Sequence, residues 1–301
     1  MKRFMNFYVP LVFSFLFMFC SDPKAPNKKS VNETNVNVQK KDFNAYWYEG
    51  KAEITSYKLT QARYGELHEG TAVNIFVTED FLPEKQVKAD YKNEKNVPIL
   101  KLNSTKKFTT GIYPYSLMTS TFTPIDLNKE TIKVSFSGQE WCGNTFVQLN
   151  NRTNYEIQFF SYFESNADKK ISLKKNKLEN EFWNMLRVNP YQIKKGRYKI
   201  IPSFEFLALN HQKIAAYEAE TNLIEKGKFI NFSIYYPTLD RKISIKLTKD
   251  FPYTIESWEE TFSSRGKKLI TKATKIKTIK SAYWSKNGVA NISERKDLGL
   301  D

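Results

Sequence analysis

Arg241–Thr248 alternates without a break, with Ile243, Ile245 and Leu247 on one side and Lys242, Ser244, Lys246 and Thr248 on the other. A period of two marks a strand with one buried face. The pattern constrains the fold because it recurs along most of the chain. In Ala45–Thr60, after Tyr46-Trp47-Tyr48, residues Ala52, Ile54, Ser56 and Lys58 oppose Glu53, Thr55, Tyr57 and Leu59. Further strands are expected over Thr71–Thr78 (after a turn at Glu69-Gly70), Ile99–Asn103, Lys107–Tyr113, Ser116–Thr123 and Thr131–Phe136. Glu140–Asn150 and Tyr155–Phe163 read as a hairpin across an Asn-rich turn, which tolerates left-handed backbone. More strands follow near 197–209, 213–221 and 229–236, and Tyr253–Phe262 and Lys267–Tyr283 read as the last two.

One segment breaks the period. From Ser172 to Arg187, residues Leu178, Phe182, Met185 and Leu186 share one face of a helix, which Asn189-Pro190 ends. Consecutive strands with short turns imply an antiparallel sheet, and one this large must curl, split or close. The expected fold is mainly β: a large curved antiparallel sheet or open barrel with one amphipathic helix at about 173–187. Two packed β-layers are the other solution. Hydrophobic residues at 41% and aromatics at 15% supply a core without disulfides, and the chain has only two cysteines.

The N-terminus points to a compartment. Lys2 and Arg3 precede an apolar run from Phe7 to Phe19, then Cys20 and a polar stretch. The run is short for a membrane span and suits a signal peptide. A cysteine at its end resembles a bacterial lipoprotein start, although Phe19 stands where a small residue is usual. The expected organisation is signal peptide 1–19, lipidated Cys20 with a tether to 41, one β-rich domain over 42–286 and a tail at 287–301. The expected location is the cell envelope, as an outer-membrane lipoprotein.

The net charge is +15, and losing Lys2 and Arg3 with the signal leaves +13. In an envelope protein this favours anionic lipid or glycan over nucleic acid. Between Thr261 and Lys286 there is no carboxylate, and Lys272, Lys275, Lys277 and Lys280 make a basic stripe with Lys275 and Lys277 on one face. The stripe reads either as an anion contact or as lysines guarding an edge strand. Trp47 and Tyr113 are aromatic candidates for a ligand wall, with core packing the plainer reading.

Catalytic patterns are sparse. Glu140-Trp141-Cys142-Gly143 lacks the second cysteine of a dithiol site, since Thr145 stands there. A Cys142 nucleophile needs His68 or His211 beside it. Two histidines and two cysteines do not make a spaced zinc set, and Glu66, Glu69, Glu79 and Asp80 lack calcium-loop spacing. No catalytic residue, metal or cofactor is assigned.

Tyr46-Trp47-Tyr48-Glu49-Gly50-Lys51-Ala52-Glu53-Ile54, Gln61-Ala62-Arg63-Tyr64-Gly65-Glu66 and Gln139-Glu140-Trp141-Cys142-Gly143, with Leu178-Glu179-Asn180 and Ile201-Pro202-Ser203, resemble a family of bacterial envelope lipoproteins often labelled septum formation inhibitor. The resemblance spans roughly 43–285 and implies a location without an activity. The motifs of the Maf-type nucleotide pyrophosphatases that share this label do not occur. The expected function is a non-catalytic, lipid-anchored envelope protein. It meets the membrane through its lipid and binds a lipid, glycan or unspecified protein partner through a curved β-domain. The alternative is an envelope hydrolase using carboxylates or Cys142.

Overall fold

The alternating segments become strands of one sixteen-stranded sheet in the computed structural model, which describes Met1 and residues 41–300 apart from positions 165 and 265. The first run comprises β1 (Ala52–Arg63), β2 (Glu66–Leu82), β3 (Val87–Lys88), β4 (Val97–Thr110), β5 (Tyr113–Pro124), β6 (Lys133–Glu140), β7 (Gly143–Asn151), β8 (Tyr155–Ser161) and β9 (Lys169–Leu173). The second comprises β10 (Lys177–Leu178), β11 (Gly196–Ile201), β12 (Tyr217–Lys226), β13 (Phe229–Tyr236), β14 (Arg241–Thr248), β15 (Ile255–Ser264) and β16 (Lys267–Ser281). Each run is a meander, β3 pairing only with β2, and the two join where β1 pairs with β16. The free edges are β9 and β10, which only residues 174–176 separate in sequence. β10 pairs with β11 in parallel.

Cross-strand partners show how alternation builds the core. Phe232 faces Ile245, Ile245 faces Trp258, Trp258 faces Ala273, and Ala273 faces Leu59. The row continues through Gly70 and Phe108 to Tyr115. Gly70 is therefore a mid-strand residue of β2; the turn falls earlier, at Tyr64-Gly65. A Cβ at Gly70 would overlap the Lys107 carbonyl oxygen and lie 2.8 Å from Phe108 Cβ.

Among the described residues four α-helices accompany the sheet: α1 (41–47), α2 (Glu179–Val188), α3 (Phe204–Leu209) and α4 (Ser293–Asp297). α2 is shorter than the periodicity suggests, because Ser172 and Leu173 end β9 opposite Glu156 and Tyr155. α1 replaces an expected strand and buries Trp47. α3 replaces the end of another, its first turn capped by Ser203 Oγ accepting from the Phe206 amide.

Curvature follows from what α2 touches. Asn184 Nδ2 donates to the carbonyls of Leu100 on β4 (2.7 Å) and Thr121 on β5 (3.4 Å), while Tyr236 on β13 donates to Glu179 (2.8 Å). β13 and β5 stand seven strand spacings apart in sheet order, roughly 34 Å if flat. A ten-residue helix is about 15 Å long. The sheet therefore wraps α2 in one large open curve, as the strand pattern predicts.

The segment expected to be a tail is docked. Leu298 and Leu300 pack on the outer face of the sheet with Ala52, Ile54 and Val77, and Ser56 Oγ donates to the Leu298 carbonyl.

Candidate functional site

The apolar stripe of α2 joins the main core through Leu178, Phe182, Met185 and Leu186, but its polar side is buried too. Enclosing a helix on all sides removes its charges from water, so each needs a partner. Arg187 meets Glu53 on β1 through two bonds, 2.5 and 2.6 Å, and its Nε donates to the Pro252 carbonyl (3.1 Å). Burial alone would raise the Glu53 carboxyl, but Arg187, with Tyr46 and Lys280, outweighs it and holds the group below its ordinary value. Arg241 on β14 makes a second fork with Glu179, Nη2 at 2.7 Å, and its Nε donates to Glu260 (2.5 Å). Burial would again raise Glu179, and Arg241 reverses it. Glu181 goes the other way. It meets the half-exposed Lys177 at 3.2 Å, and burial raises its carboxyl.

These side chains border an interior cavity of ≈ 50 Å³, lined by Lys106, Glu179, Trp183, Glu205, Arg241 and Glu260 among others. Lys106 is itself bonded to Glu205 at 2.6 Å. At about 10–15 Å³ per water the space holds a few waters. Ligand pockets for small molecules span about 300–1,000 Å³. Two larger clefts are open to solvent: one of ≈ 810 Å³ between the loops at 82–85 and 93–95, and one of ≈ 510 Å³ between β9 and residues 211–214.

The basic stripe is divided by a bulge. Ser56 pairs with Lys277 but Tyr57 pairs with Lys275, so residue 276 is extra and the two lysines fall out of phase. Lys272 pairs with Glu259 (3.4 Å) and Lys275 with Glu256. Lys280 is half-buried over the Tyr46 ring (3.9 Å) and meets Glu49 (3.0 Å) and the Tyr46 carbonyl (2.7 Å). Lys277 is exposed. β16 lies mid-sheet between β15 and β1, so these lysines do not guard an edge. Trp47 is 1% exposed and belongs to the core. Tyr113 is half-buried, 5.8 Å from Tyr115 and 6.3 Å from Trp141. Cys20 lies outside the described residues.

Cys142 is exposed in the β6–β7 turn, where Glu140 accepts from its amide (2.7 Å). Glu140 raises the thiol, the opposite of what an activated nucleophile needs. His68 Nε2 lies 3.2 Å from the Arg63 carbonyl, and His211 Nδ1 lies 2.9 Å from Asn166 Nδ2. Glu140 and His211 share the lining of a pocket of ≈ 30 Å³.

No known family and no curated protein matches this sequence. Among solved structures, a β-barrel-like protein of the domain of unknown function DUF1849 from Brucella abortus is similar at 8% identity and a TM-score of 0.48, over 76% of this chain and 98% of that one. It is a distant neighbour, and its description carries no septum-formation or lipoprotein assignment.

The buried ion pairs were not legible from sequence, since Arg187 and Glu53 lie 134 residues apart. The start of α3 left a signal in Pro202-Ser203, a turn residue followed by a capping residue.

Proposed function

We propose that this chain is a non-catalytic, lipid-anchored envelope protein that works through its outer surface, and that its curved sheet is a scaffold closed around its own helices. The observation that carries this reading is the filled interior: α2 occupies the curve, and the cavity beside it is small and walled by paired charges. An acyl chain needs a long apolar hollow, whereas Arg241, Glu179 and Lys106 line this one. The basic N-terminus, the apolar run and Cys20 support the anchor. Glu140, which raises the Cys142 thiol, argues against the form of the hydrolase alternative that uses Cys142 as nucleophile.

The test is native mass spectrometry of the compact unit from Lys40 to Asp301, with lipid extraction of the same sample. The expected result is the mass of the bare chain. A stoichiometric co-purifying lipid would overturn the closed-scaffold reading. Metabolic labelling of the full chain with a fatty-acid analogue tests the anchor: incorporation is expected, and its persistence in Cys20→Ser would remove that assignment.

A further inference from the structure

We propose that the free edge of β9 takes an extended segment of a partner protein as an added strand, with apolar side chains in the cleft beside it and an acidic one toward Lys169 and Lys213. The proposal rests on the reading of the chain as a scaffold that works through its surface, and gives the chemistry of its partner. It is tested apart from the anchor and from the ligand-free interior.

β9 pairs with β8 and, among the described residues, with no strand on its other side. Its five residues make about 17 Å of edge, where alternate N–H and C=O groups take a partner strand or water. An incoming strand satisfies those groups, so the edge itself calls for an occupant with extended backbone. Side-chain room lies against the same strand. The cleft of ≈ 510 Å³ between β9 and residues 211–214 has Phe159, Ile171, Leu173 and Ile214 as its apolar wall. Phe159 and Ile214 are buried in the main core, while Ile171 and Leu173 are half-buried against it. The wall is therefore held in place from behind and open in front.

Charge then selects among extended partners. Alternation puts Lys169, Ile171 and Leu173 on the inner face of β9, opposite the buried Phe159, Ile157 and Tyr155 of β8, and puts Lys170 and Ser172 on the outer face. Lys169 and Lys213 line the cleft, and no carboxylate does. Burial and the Arg63 charge lower the His211 imidazole, so the ring is neutral at pH 7 and the lysines set the sign of the cleft. The nearby carboxylates lie elsewhere. Glu156, on the outer face of β8, accepts from Ser172 Oγ (2.9 Å), Asp168 accepts from the Ser161 amide (3.2 Å), and Glu164 is exposed in the β8–β9 turn. A second copy pairing β9 with β9 would bring Lys169 of both chains onto one inner face, like charge near like. An acidic side chain on the incoming strand meets the opposite sign there.

The test uses the unit from Lys40 to Asp301 and two fluorescent heptapeptides in which threonine alternates with valine, valine and glutamate, one order for each strand direction. Fluorescence polarisation should show that one of them binds, and hydrogen exchange should slow at the β9 amides. Lys213→Glu should weaken binding about fivefold, since an exposed attraction becomes a repulsion. Lys170→Glu, on the outer face, should leave it unchanged. Both residues are exposed, and thermal unfolding checks that the variants fold. Methylating the peptide nitrogens at alternate residues blocks one edge of the peptide. One phase of methylation should abolish binding and the other spare it. Absence of binding by both peptides, equal binding when lysine replaces glutamate, or indifference to methylation in both phases overturns the proposal. So does self-association that protects the β9 amides in place of the peptide, which would make the edge an interface between copies. The mass of the chain without peptide reads the interior alone, so either reading can fail while the other stands.

Discussion

At the level of single residues the protein depends on charges sealed away from water. Removing Arg187 strands the Glu53 carboxylate inside the sheet, and Arg187→Met should cost about 3–5 kcal/mol in urea unfolding. The double variant with Glu53→Leu should recover much of that loss, because it removes the orphaned charge as well. The same pairs set the acid response. Glu53 and Glu179 titrate below the ordinary 4.5, so their stabilisation is present above that pH and drains away as pH falls toward their folded values. Glu181 has the reverse sign: burial lifts its carboxyl, so it costs stability as pH rises above 4.5. Glu181→Gln should therefore raise the unfolding temperature at pH 7 and change it far less at pH 4. In the sequence Glu179, Glu181 and Arg187 stand off the apolar face of α2 and carry no sign of burial. Alternation and helical period report which side of an element is apolar, but not whether the polar side meets water. That depends on strands more than a hundred residues away.

At the level of elements, the reading from sequence succeeded wherever apolar residues alternated, as in β14, and failed wherever aromatic content outweighed pattern. Tyr46-Trp47-Tyr48 has strand composition, yet α1 ends there as a turn of helix that drops Trp47 into the core. Phe204–Leu209 misled in the same way, despite its capping serine. The basic stripe failed for another reason: one extra residue at 276 shifts every side chain beyond it, and bulges leave little trace in sequence. Two elements invite direct tests. Gly70→Ala drives a methyl group into the β4 backbone, and should lower stability and speed amide exchange along the β2–β4 ladder. Removing residues 288–301 uncovers Ala52, Ile54 and Val77. It should lower the unfolding temperature and increase binding of a hydrophobic dye, and a truncated chain as stable as the full one would show that the docked segment contributes nothing.

For the molecule as a whole, the fold class was legible because period and turn spacing are local properties, while the order of the strands was not. Nothing in the sequence announces that β1 lies beside β16, or that the opening falls at β9 and β10. The filled interior predicts a ligand-free mass. The strand order also has a consequence for how the protein is made. The two meanders can each begin to pair as they leave the ribosome, but the ladder that unites them uses the final long strand, Lys267–Ser281. Until that strand appears, β1 has one bare edge, and the surface that should enclose α2 stands in two halves. Completion is thus postponed until β16 has been made, and a chain halted before it is left with an adhesive flank.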